Sequence, residues 1–149
     1  ATQSIYQQQA QMHRFITEYH PVPVAINDLG FVAYQNPNYV LDMWGLGSEE
    51  VRQARANGMM DATLVERLAR EHDVAFAMIY EQYFEGSIPA YWTKVAVMTR
   101  QAQASDVGQE VSFYTLIKTP DIADKLAAFG STLPKGAALT ILPAAYAEK

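Results

Sequence analysis

The chain has no cysteine, which excludes a disulfide framework and any thiolate metal site. Basic residues are few: 11 lysines and arginines stand against 16 aspartates and glutamates, for a formal net charge of -5. With no basic cluster to offset it, that balance argues against a nucleic-acid surface. Long hydrophobic runs are missing too. The longest clean one, Val74 to Tyr80, falls far short of the ~20 residues a membrane-spanning helix needs. The histidines His13, His20 and His72 form no i,i+4 pair and have no nearby ligand set, so no metal is expected. No Gly-x-Ser-x-Gly elbow occurs, and a hydrolase triad therefore has no anchor. Neither a cofactor nor a catalytic constellation is predicted.

What is present is the makings of a core. Half of the 149 residues are hydrophobic, enough for one domain, and no linker or repeat divides it. Val22 to Ile26, Tyr39 to Met43 and Val74 to Tyr80 are short apolar runs, the pattern of strands covered on both faces. Ser4 to Tyr19 reads as a helix with Ile5, Met12, Phe15, Ile16 and Tyr19 on one stripe, ended by His20-Pro21. Asp28 is placed to cap a short turn containing Phe31, Val32 and Tyr34. Ser48 is the predicted N-cap of a helix reaching Ala56, and Asp61 that of a second helix with Leu64, Val65 and Leu68 inward. Glu81 to Tyr91 reads as an irregular loop with one helical turn. Thr93 to Thr99 and Glu110 to Lys118 read as an antiparallel pair. Thr119-Pro120 opens a helix stopped by Gly130, and Ala138 to Leu142 is an edge strand before a frayed tail. This order predicts an α/β fold, a three-layer Rossmann-like sandwich with a mainly parallel sheet and an antiparallel flank.

Ligands of parallel α/β sheets gather beyond the carboxyl ends of the strands. Asn27 and Asp28 leave the first strand there, and Asp42 leaves the second. The two acids suit a sugar hydroxyl, a cation or a proton, and equally suit turn capping and backbone hydrogen bonding. Gly45-Leu-Gly47 is half of a dinucleotide fingerprint, but Glu50 stands where the third glycine belongs, and Glu49 and Glu50 disfavour a phosphate. The glycines serve more simply as a sharp strand-to-helix turn. Tyr80, Tyr83, Phe84, Tyr91 and Trp92 form an aromatic loop suited to stacking on a sugar, to a protein or membrane contact, or to folding back on the sheet edge.

Four segments in order, Ile5-Tyr-Gln-Gln-Gln9, Val24-Ala-Ile-Asn-Asp-Leu-Gly30 with Tyr34, Val40-Leu-Asp-Met-Trp-Gly-Leu-Gly47, and Val74-Ala-Phe-Ala-Met-Ile-Tyr80, carry a family resemblance. Over roughly residues 5 to 118, and most clearly in the first eighty, the chain resembles the soluble C-terminal domain of bacterial polytopic membrane glycosyltransferases. These are the lipid-phosphate-sugar-dependent type related to protein mannosyltransferases and arabinosyltransferases. The resemblance implies a fragment that begins just outside a final membrane span, which would explain a start at Ala1. It implies a place on the extracytoplasmic face of the bacterial cytoplasmic membrane. Its partners would be the membrane-embedded part of the same polypeptide and a glycan or lipid-linked sugar acceptor. In that family the catalytic carboxylate belongs to the first extracytoplasmic loop, so this domain would be inactive alone and would assist acceptor binding or assembly. The matching positions are Asn27, Asp28, Gly30, Tyr34, Asp42, Gly45 and Gly47; Trp44 departs from the small or aliphatic residue usual there. With Tyr83 and Trp92 of the aromatic loop, these are the candidate ligand-binding residues. The alternative is a freestanding α/β protein that binds a nucleotide or sugar phosphate at the Gly45 to Ser48 turn.

Overall fold

The computed structural model describes residues 2–27, 30–44, 49–56, 61–100 and 110–148. The parallel half of its sheet is built on β1 (Val24–Ile26), with all three residues fully buried. It pairs in parallel with β2 (Val40–Asp42) on one side and with β3 (Phe76–Ile79) on the other. The third apolar run does enter a parallel pair, but beside β1 rather than β2. Proline explains why β1 is shorter than the apolar run that contains it. Pro21 and Pro23 have no N–H to give a ladder, although the Pro23 carbonyl still accepts from Ala75 N at 2.9 Å.

Beyond β3 the sheet turns antiparallel. β5 (Val111–Thr115) pairs with β3, β4 (Thr93–Arg100) pairs with β5, and β6 (Ala137–Ile141) closes the edge against β4. The strand order is β2-β1-β3-β5-β4-β6. The antiparallel part is therefore half of a mixed sheet, more than the flank expected. Burial shows why β5 sits inside β4 although it follows it in the chain. Every residue of β5 is buried, whereas β4 and β6 keep partly exposed positions and tolerate the rim.

Alternation along the strands divides the core between the two sheet faces. Val24, Ile26, Phe76, Met78 and Phe113 pack with α1 (Thr2–Arg14), with Val32 of α2 (Gly30–Ala33) and with α5 (Ile122–Gly130). Ala25, Leu41, Ala77, Ile79 and Tyr114 pack with Val65, Leu68 and Ala69 of α4 (Ala62–Glu71). Helix α3 (Glu49–Ala56) precedes α4. Phe15, where α1 widens into a π-helical turn over Phe15–Tyr19, is the hub of the first core. Its ring centroid lies 5.0 Å from that of Phe129, 5.4 Å from Phe76 and 5.5 Å from Phe113.

Local signals at the helix ends were met unevenly. Asp61 caps α4 by accepting from Leu64 N at 2.9 Å, as expected. Helix α5 begins later than Thr119-Pro120, because the Thr119 hydroxyl turns back to donate to the Ile117 carbonyl at 3.0 Å. The tail is helical rather than frayed: α6 (Pro143–Ala147) has proline in its first turn and buries Ala145 in the first core.

Just after the π-helical turn, His20 is buried against Phe76, with ring centroids 5.3 Å apart. Its Nδ1 lies 3.1 Å from Lys125 Nζ. The ammonium can only donate, so Nδ1 accepts and the imidazole is neutral with its proton on Nε2. Burial first and the Lys125 charge second lower His20 from 6.5 to about 4, with Asp121 partly opposing them. Between these values the unfolded chain binds a proton that the native chain does not, so stability rises with pH. The His20 contribution is fully present above pH 6.5 and is lost as pH falls through about 4. Urea unfolding from pH 7 to pH 4 should show a loss on the order of 2–3 kcal/mol from this group. A His20→Gln variant should show a flatter pH profile, and an unchanged slope would assign the loss to other groups.

Candidate functional site

Both β3 and β4 run antiparallel to β5, so β1, β2, β3 and β4 all finish on one edge of the sheet. The groups at these exits are Asn27, Asp42, Tyr80 and Arg100. Helix α1 begins at the same edge, since Gln8 bonds to Tyr80 there while Phe15 lies against Phe76 at the far end of β3.

Asn27 does structural work at this edge. Its carboxamide oxygen accepts from the buried Tyr80 N at 2.6 Å, bridging the exits of β1 and β3. Because a backbone N–H can only donate, this contact also settles which end of the amide is oxygen. The Tyr80 hydroxyl donates in turn to Gln8 Oε1 at 2.8 Å. Burial, with Tyr83 alongside, pushes that hydroxyl up to about 12, and the Arg100 charge pulls the other way. Asp42 is buried, and one of its oxygens accepts from Trp44 N at 2.9 Å. The polar strand-exit residues thus hold the tips in place before they can meet any ligand.

Aromatic rings form the outer rim. Trp44 is 38% exposed and Tyr83 is 51% exposed, and they meet edge to face with centroids 5.9 Å apart. Buried Phe84 backs Trp44 at 5.8 Å, and Tyr80 meets Tyr83 at 6.3 Å. Tyr83 rides on a 3-10 turn, Glu81–Phe84. That turn is pinned where Glu81 accepts from Lys94 Nζ at 2.8 Å and from the Ser112 hydroxyl at 3.1 Å. The bond to Lys94 holds the Glu81 carboxyl below its ordinary range, against the opposing effect of burial.

The ten residues singled out by sequence do not all converge. Asn27, Asp42, Trp44 and Tyr83 gather at the carboxyl edge. Trp92 does not: it precedes β4 at the opposite edge, buried against Tyr114 at 5.7 Å. Tyr91 lies at that end too, beneath the Arg70 guanidinium at 4.3 Å. The aromatic loop is therefore split between the two edges. Tyr34 is exposed and is held against α1, its carbonyl accepting from His13 Nε2 at 2.6 Å. Gly30 opens α2. Asp28, Gly45 and Gly47 lie outside the described residues. Among the described residues, no group of three or more histidines and carboxylates is placed to hold a metal.

Sequence reasoning missed a second feature of this edge. A cavity of about 410 Å³ lies between α1 and the β4–β6 border, lined by Gln7, Gln8, Gln11, Met98, Arg100 and Lys135 among others. Gln8 falls on the same stripe of α1 as Met12 and Phe15 and is buried, and the one available signal was that amide within an otherwise apolar stripe.

The model of the family described as Domain of unknown function (DUF8728) matches residues 3–114, which include the exits of β1 to β4, and the chain belongs to that family. No curated protein and no solved structure matches the chain.

Removing the Asn27 amide should leave the Tyr80 N–H buried without its acceptor. An Asn27→Ala variant is expected to lose about 1–3 kcal/mol in urea unfolding, with faster hydrogen exchange at the Tyr80 amide. Wild-type exchange at that amide would show that the bond does not hold the two strand exits.

Proposed function

We propose that this DUF8728-family chain is a non-catalytic, extracytoplasmic domain of a bacterial membrane glycosyltransferase-like protein. Its carboxyl edge would meet a glycan or lipid-linked acceptor and the membrane-embedded part of the protein. The fold in this reading is a three-layer Rossmann-like sandwich. Support for that comes from the helices packed on both sheet faces and from the parallel β2-β1-β3 unit. In that unit the chain steps from β1 to one neighbour and then crosses back to the other, the strand reversal beside which α/β sheets bind ligands.

One observation carries the proposal: half-exposed Trp44 and Tyr83 stand together at the strand exits, on the edge where α1 begins. Such rings offer an apolar face to a sugar and sit well at a headgroup interface. A chain entering α1 from a membrane span would bring this edge, rather than the Trp92 edge, towards the bilayer. No helix among the described residues is long and apolar enough to cross a membrane, so the embedded part would lie outside them. The proteins that the chain resembles keep their catalytic carboxylate in that part, which leaves positioning of the acceptor to this domain.

Trp44 reports on the edge once Trp92 is silenced, since the chain has only 2 tryptophans. In a Trp92→Phe background, oligosaccharides should shift Trp44 emission at about millimolar concentration, and Tyr83→Ala should abolish the shift. The native reading frame before Ala1 should encode a series of hydrophobic spans with an acidic residue in the first external loop. A silent Trp44 together with a start codon directly before Ala1 would overturn the proposal.

A further inference from the structure

We infer that the cavity between α1 and the β4–β6 border is a binding site for a small anionic polyol, a sugar bearing one phosphate or one carboxylate. The site is separate from the aromatic rim, and the inference stands without the membrane reading. At about 410 Å³ the cavity falls within the range of small-molecule sites, of order 300–1,000 Å³, and suits a single sugar unit better than an oligosaccharide.

The two walls differ in chemistry. One wall is amide: Gln7 and Gln11 are one helical turn apart on α1, with Gln8 beside them. A carboxamide both donates and accepts, as a sugar hydroxyl does, so three amides match a polyol better than they match a bare ion. The other wall is cationic, with Arg100 at the end of β4 and Lys135 on the turn before β6. A guanidinium fork and an ammonium suit the oxygens of one phosphate or carboxylate. Among the described residues no aromatic ring lines the cavity, so they give a nucleobase nothing to stack on. Met98 adds a small apolar surface for the carbon skeleton of the sugar.

Several of these groups are held in position before any ligand arrives. Buried Gln8 is fixed by the Tyr80 hydroxyl at 2.8 Å. Gln11 uses its oxygen to accept from Arg14 Nε at 3.0 Å, which leaves its amide nitrogen as the donating end. The turn carrying Lys135 is closed by Ala137 N donating to the Pro134 carbonyl at 3.1 Å. Gly136 holds the left-handed backbone conformation in that turn, at φ +95°, and a side chain there would project into open space. Prior ordering of this kind lowers the entropy lost on binding.

The test is calorimetric titration of the full chain with glucose 6-phosphate, glucuronate, glucose and inorganic phosphate. At least one anionic sugar should bind about ten-fold more tightly than either glucose or inorganic phosphate. Whichever anionic sugar binds better identifies the charged group. Lys135→Met and Gln7→Ala alter exposed residues, so thermal stability should be unchanged while affinity for that sugar falls about five-fold or more in each. The inference fails if neither anionic sugar binds below about 10 mM. It also fails if inorganic phosphate binds as well as the sugar phosphate, or if both variants bind like the wild type.

Discussion

One carboxamide, that of Asn27, secures the end of the parallel half of the sheet. Parallel ladders run out where their strands end, and the next backbone N–H, here that of Tyr80, would be stranded in the interior. The Asn27 side chain replaces the missing strand with an acceptor at 2.6 Å. The chain of bonds continues through the Tyr80 hydroxyl to Gln8, so the amino-terminal half of α1 is docked by the same device that joins the exits of β1 and β3. Away from water such linked bonds strengthen one another, and an unmade one costs more than it would at the surface.

Tyr80 is also the divider between the two features of the carboxyl edge. Its hydroxyl points to the glutamine wall of the cavity through Gln8, while its ring meets Tyr83 on the aromatic rim. The Arg100 charge is felt at the same hydroxyl. Rim and cavity therefore share one rigid support, as precise placement of binding groups requires. Around that support the polar residues divide the labour. Asn27, Asp42 and Glu81 hold the backbone and the 3-10 turn, which leaves Trp44 and Tyr83 to face outward.

Much of the framework was legible in the residues. Apolar runs without alternation, such as Val74 to Tyr80, arise when both faces of a strand are covered, and both faces of β3 are. Asp61 announced its helix because a cap acts within three residues. The start of α5 was misread for the same local reason: Thr119-Pro120 offers a good cap, but the Thr119 hydroxyl had a nearer backbone acceptor in Ile117. The tail looked featureless because the burial of Ala145 depends on a core built elsewhere in the chain. Within the site, the clustering of Trp44 with Tyr83 and the exile of Trp92 to the far edge were equally hidden, since the first depends on the order β2-β1-β3 and the second on where β4 joins the sheet.

By itself the sequence determined the strands, most of the helices and their order, since periodicity and capping are written within a few neighbouring residues. Tertiary structure alone decided the strand order β2-β1-β3-β5-β4-β6, the splitting of the aromatic loop, and the cavity that sets three glutamines of α1 opposite Arg100 and Lys135. The physical reason is range. Strand partners and helix docking are chosen by burial summed over segments up to about a hundred residues apart, and no local pattern carries that sum.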